Sequence, residues 1–82
     1  MKYSEITRKL RKPGCEEIPR RGKGSHRKWI NNAAGRGTII PYHGSKDLKT
    51  KTVKGIVSQL GFDWQEFKTG VFFFSLFHRQ NY

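Results

Sequence analysis

Val53, Ile56, Val57 and Leu60 fall at i, i+3, i+4 and i+7, the strongest helical periodicity in the sequence, and Gly61 follows directly. Apolar residues at that spacing share one face of a 3.6-residue turn, and a glycine just past them is a favoured C-terminal cap. A chain of 82 residues supports one small domain, so this helix must lie against whatever sheet the remaining residues supply. Thr50 or Thr52 is the expected N-cap. Gly55, in the helix interior, costs roughly 1 kcal/mol against alanine, and its expected justification is close packing on the sheet. Lys46, Lys49, Lys51 and Lys54 crowd the helix start, where the dipole is already positive. Either an anion binds there or the lysines stand in solvent.

Around this helix the other segments follow. Ser4 is an expected cap for a first helix with Ile6 and Leu10 on one face, stopped by Pro13-Gly14. Cys15 to Arg20 is expected as an edge strand, because Pro19 lacks an amide donor, and Arg21 to Gly24 as a turn. His26 to Asn31 alternates as a strand, with His26, Lys28 and Ile30 on one face and Arg27, Trp29 and Asn31 on the other. Asn32 to Gly37 reads as a hairpin loop and Thr38 to Tyr42 as the next strand. Trp29 is expected in the core, with base stacking as the alternative. Asp63-Trp64-Gln65-Glu66 has capping-box spacing, flanked by Phe62 and Phe67 as a hydrophobic staple. Val71 to Phe77 is too apolar to sit in water unpaired: it packs on the domain, meets another chain or aggregates.

Charge narrows the partners. There are 17 Lys+Arg against 6 Asp+Glu, a formal net charge of +11, densest in the first 28 residues. Such an excess points to a polyanion, nucleic acid before a membrane surface. An aromatic content of 13% and the amphipathic segments argue against a disordered basic tail. The single Cys15 forms no internal disulfide, no Cys/His spacing resembles a zinc site, and no carboxylate cluster is present to hold a metal; no cofactor is expected. The N-terminal residues lack a signal-peptide h-region, and the longest apolar run is far short of the ~20 residues of a membrane span. A cytoplasmic setting is expected.

The basic density peaks around Gly24-Ser25-His26-Arg27-Lys28-Trp29. This stretch combines an imidazole that can move a proton near neutral pH with cations that stabilise charge on a phosphate. Alone, a histidine beside basic residues is more often an ordinary exposed side chain.

Several short pieces in order carry a resemblance: an opening helix ending in glycine, Gly24-Ser25-His26 with an aromatic at Trp29, then Ile39-Ile40-Pro41-Tyr42-His43-Gly44. A Lys-rich stretch, Thr52-Val53 with Ile56-Val57, and Leu60-Gly61-Phe62 leading to Phe67 complete it. The sequence resembles the HicA toxins of bacterial and archaeal toxin–antitoxin pairs, which are mRNA interferases. The resemblance implies an α+β fold similar to a double-stranded RNA-binding domain, α-β-β-β-α, with helices packed on one face of a three-stranded antiparallel sheet. It also implies a domain over residues 1–67, leaving 68–82 as an apolar C-terminal extension through which homo- or hetero-oligomers could form.

The family's catalytic histidine lands on His26. Lys23, Gly24, Ser25, Arg27, Lys28, Lys46 and Lys49 are the expected RNA-binding residues, Ser25 either orienting the phosphate or serving the turn. His43 takes a supporting or structural role. The function so implied is an endoribonuclease toxin acting on mRNA and held by a HicB-like antitoxin protein, with no membrane partner. A non-catalytic double-stranded RNA-binding module is the alternative.

Overall fold

The computed structural model describes residues 1–19 and 24–72. The expected turn at Arg21 to Gly24 therefore lies largely outside the described residues, as does the apolar run from Phe73 onward. The element order is α1 (Tyr3–Arg11), β1 (Glu16–Glu17), β2 (His26–Asn31), β3 (Arg36–Pro41), α2 (Thr50–Gln59) and α3 (Trp64–Thr69). Among the described residues the strands form one antiparallel sheet of order β1-β2-β3. This is the α-β-β-β-α arrangement with a short third helix appended.

Strand alternation decides which face the helices cover. Trp29 and Asn31 of β2, and Thr38 and Ile40 of β3, are buried, while their neighbours His26, Lys28 and Ile39 are exposed. A period of two therefore divides the sheet into a helix-covered face and an open one. Tyr3, Ile6 and Leu10 from α1 join Val53, Ile56, Val57 and Leu60 around Trp29, Ile40 and Phe67. Each fully buried aliphatic side chain contributes roughly 1.5–3 kcal/mol by leaving water. Asn31 Nδ2 donates to the Leu60 carbonyl at 2.8 Å and so fastens the C-terminal end of α2 to β2.

The helices differ from expectation in three places. Lys2, not Ser4, is the N-cap of α1, and it caps without a side-chain hydrogen bond. The helix starts early because Tyr3 belongs to its buried face, and Lys2 bridges to Asp47 in the loop before α2. Lys49 replaces Thr50 or Thr52 as the N-cap of α2, again with no side-chain bond. Gly55 is exposed, and nothing lies within 4 Å of where its Cβ would stand, so close packing does not account for it.

The strands are also redrawn. The regular part of β1 is Glu16–Glu17, extended by the Ile18 N–H donating to the Lys28 carbonyl at 2.9 Å. β3 begins at Arg36, two residues earlier than expected, and ends at Pro41. Asp63 and Glu66 form the anticipated capping box of α3, with the Gln65 N–H at 3.0 Å from Asp63 Oδ2 and the Asp63 N–H at 3.0 Å from Glu66 Oε1. Beyond Gly70, Phe72 meets Phe62 edge to face at 5.1 Å.

Candidate active site

β2 enters the sheet at His26, and the Ser25–Tyr42 link fixes that entry: the Tyr42 N–H donates to the Ser25 carbonyl just outside the His26↔Pro41 pair. His26 itself is exposed on the open face. An imidazole there is reachable by a long polyanion while its backbone stays in a hydrogen-bonded ladder. Gly24 is exposed and Ser25 half-buried beside it, with the Ser25 backbone carbonyl serving the strand junction.

The cations expected around His26 are not placed alike. Lys28 lies two residues along the same face, exposed, and paired in register with Ile39. Arg27 turns to the opposite face. Its guanidinium stands 4.5 Å from the Tyr42 ring centroid and 3.6 Å from Glu17 Oε2, a half-buried cluster that also takes in Tyr3, whose ring meets Tyr42 edge-on at 4.9 Å. Trp29 Nε1 donates to the Tyr3 hydroxyl at 2.9 Å beneath. Arg27 thus braces the end of the sheet from below, on the side away from the imidazole.

His43 is exposed just past the end of β3, two residues beyond the register partner of His26. A turn follows in which the Lys46 N–H donates to the His43 carbonyl at 3.2 Å. Lys46 and His43 therefore share one loop at the His26 end of the sheet. Lys49 is exposed at the N-cap of α2, a helix with no acidic residue in its first turn. Lys23 lies outside the described residues.

Other cations have structural occupations. Lys9 Nζ donates to the carbonyls of Phe67 and Lys68 at the end of α3, at 3.4 and 3.1 Å. Arg11 stands over Trp29 at 4.9 Å and Lys54 over Trp64 at 5.4 Å. These contacts place part of the basic charge against carbonyls and aromatic rings.

One cation escaped the sequence reading. Arg36, the first residue of β3, lines a concavity with Lys28, Gly37, Thr38, Ile39 and Gln59. Its flanking glycines give it the local pattern of a hairpin loop, and no local signal in the sequence marks it as a strand residue.

Burial pushes the Cys15 thiol up to about 11 and raises the Tyr3 phenol above its ordinary value. Among the described residues no group of three or more His, Cys, Asp or Glu side chains could hold a metal ion, and no helix is long and apolar enough to cross a membrane.

Comparison with known proteins fits this arrangement. The family described as HicA toxin of bacterial toxin-antitoxin matches residues 3–62. A probable mRNA interferase HicA from Pseudomonas fluorescens (strain Pf0-1) is 46% identical over 61 residues, covering 74% of this chain and 95% of that relative. No solved structure matches significantly. With the expected fold in place and the match running from the first helix through the cap of the second, the chain belongs to the HicA toxin family of bacterial toxin–antitoxin systems.

Proposed function

We propose that the protein is an endoribonuclease toxin that cleaves mRNA with His26 as general base, and that a HicB-like antitoxin holds it inactive. The observation that carries this reading is the position of His26: an exposed imidazole at a hydrogen-bonded strand entry, on the face the helices leave open, with Lys28 beside it. Family membership supplies the reaction class, and the relative's name supplies mRNA as the substrate.

Neutral His26 takes the proton of a ribose 2′-hydroxyl. The 2′-oxygen then forms a bond to the adjacent phosphorus as the bond to the 5′-oxygen breaks, and that oxygen takes a proton from solvent water to leave as a 5′-hydroxyl. Lys28 stabilises the extra negative charge on the phosphoryl oxygens. Lys46 and Lys49 contact flanking phosphates, and His43 supports the site from the loop it shares with Lys46. Arg27 acts from below by holding Tyr42, and Ser25 serves the strand junction. This route needs only a base and nearby cations, so cleavage should persist in excess chelator.

The antitoxin's expected chemistry follows from charge. A partner that covers the open face meets Lys28 and its cationic neighbours, so an acidic surface would speed the encounter and set its orientation. The C-terminal extension offers a further assembly surface. A chain ended after Phe72 keeps the Phe62 contact, and light scattering on it and the full chain would show whether self-association needs the remainder.

The decisive experiment is His26→Ala. Cleavage should fall by 10² to 10⁴-fold, the usual contribution of a general base, while stability changes by no more than about 0.5 kcal/mol. Wild-type products should carry 2′,3′-cyclic phosphate and 5′-hydroxyl ends. Equal cleavage by mutant and wild type removes His26 from the reaction. Binding of duplex RNA by both proteins with cleavage by neither favours the non-catalytic module.

A further inference from the structure

Two concavities meet at Gly37 of β3. The larger, about 760 Å³, is lined by Lys28, Arg36, Thr38, Ile39 and Gln59; the smaller, about 250 Å³, shares Lys28, Arg36 and Gly37 and adds Ile30. Neither is lined by a carboxylate. Their common floor is open because position 37 carries no side chain. A Cβ there would stand 3.3 Å from the Trp29 carbonyl oxygen, 3.5 Å from Ile30 Cγ2 and 3.8 Å from Lys28 Cε.

Arg36 pairs with Asn31 and so leaves β3 on the helix side, where a second glycine holds it. Gly61, at φ +89°, would bring a Cβ to 3.2 Å from Arg36 Cδ, so the arginine stem crosses a gap that another residue would fill. A cation whose stem is already placed loses less freedom on binding than a free one. Thr38 Oγ1 donates to Gln59 Oε1 at the helix-side wall. Opposite these polar groups Ile39 is 48% exposed, beside Lys28 in register.

We infer that this concavity, which wraps the edge of β3, binds an unpaired nucleotide of the RNA strand next to the scissile phosphate, Arg36 meeting its phosphate and Ile39 covering its base. The inference rests on the reading that places the scissile phosphate at His26. Ile39 lies two residues along β3 from Pro41, the register partner of His26, on the same open face, roughly 7 Å along the strand, a separation comparable to one nucleotide step. Exposed isoleucine argues for a single strand. A-form duplex presents phosphates and 2′-hydroxyls to a protein, which make no use of an apolar surface, whereas a splayed base does.

The test measures binding of a fully 2′-O-methylated single-stranded oligonucleotide, which the 2′-hydroxyl route cannot cleave, and of the duplex of the same sequence. Arg36→Ala should weaken single-strand binding about five- to tenfold and reduce the log–log salt slope by about 0.7. Ile39→Ser should weaken single-strand binding about threefold to tenfold and leave the duplex unaffected. Lys68→Ala, which removes one charge from α3, should change neither, and thermal melts should show all three variants folded.

The proposal is overturned if Arg36→Ala alters the salt slope no more than Lys68→Ala does. It is overturned equally if Ile39→Ser weakens duplex and single strand alike, or if it spares both RNAs and weakens antitoxin binding, which would give the apolar strip to a protein partner. Cleavage by His26→Ala is read separately on unmodified RNA, so failure of the catalytic assignment leaves these affinities standing.

Discussion

Trp29 donates its indole Nε1–H to the Tyr3 hydroxyl at 2.9 Å, joining the centre of β2 to the first residue of α1. Trp29 has no exposed surface and Tyr3 is 9% exposed, so no bulk water stands ready to replace the bond. Tyr3→Phe keeps the ring and its edge contact with Tyr42 but leaves a buried donor unpaired. Stability should fall by about 1–3 kcal/mol, measured by urea unfolding followed through Trp fluorescence.

Gly55 and Gly61 sit six residues apart and should respond oppositely to alanine. Gly55 is helical, exposed and unopposed, so Gly55→Ala should stabilise the fold by about 0.5–1 kcal/mol. Gly61 has a left-handed backbone and Arg36 against it. Gly61→Ala should destabilise by about 1–2 kcal/mol from the backbone alone, with displacement of Arg36 in addition. Differential scanning calorimetry of the pair checks both signs.

The Asp63 cap is a side-chain device and can be removed cleanly. Asp63→Ala deletes the acceptor for the Gln65 N–H and one half of the reciprocal capping box, an expected loss of about 0.5–2 kcal/mol. Hydrogen exchange should quicken in α3 before it does in β2.

Phe72 carries a related expectation. Its edge contact with Phe62 lies beyond the end of α3, and Phe72→Ala should cost about 0.5–1.5 kcal/mol from the aromatic pair alone. The measurement is a chemical denaturation midpoint against the unmodified chain.

Cys15 predicts an alkaline limit. The thiol ordinarily titrates near 9 and is pushed to about 11 by burial in the fold. Between those values the unfolded chain releases the proton while the folded chain keeps it. Stability from this group is therefore whole below pH 9 and is lost as pH rises toward 11; the raised Tyr3 phenol acts in the same direction. Denaturation midpoints from pH 8 to 11 should fall, and Cys15→Ala should flatten part of that fall. The buried thiol should react slowly with iodoacetamide until denaturant is added.

The sequence made the core helix and the faces of β2 legible because each rests on local periodicity. Val53, Ile56 and Val57 needed only the 3.6-residue repeat, and Trp29 only the alternation that sets it opposite His26. What stayed hidden depends on distant partners. Lys2 caps α1 with its carbonyl while its backbone forms a β-bridge with Asp47, more than forty residues away, and an early cap of that kind leaves no local mark. Arg36 disappeared into a glycine-flanked loop because the hairpin tightened around Asn32 to Gly35. Charge alone joins Arg27 to Lys28, whereas the strand repeat puts it on the other face.

The alternation in β2 has a genetic consequence. Cells surviving expression of this toxin after random mutagenesis should fall into two classes that follow the parity of the residue number. Changes at odd positions 29 and 31 strike side chains the helices cover, and those survivors should contain little protein. Changes at even positions 26 and 28 strike the uncovered side, and those survivors should accumulate full amounts of it. A blot for abundance, read beside the growth phenotype, would sort harmless copies into the unmade and the disarmed.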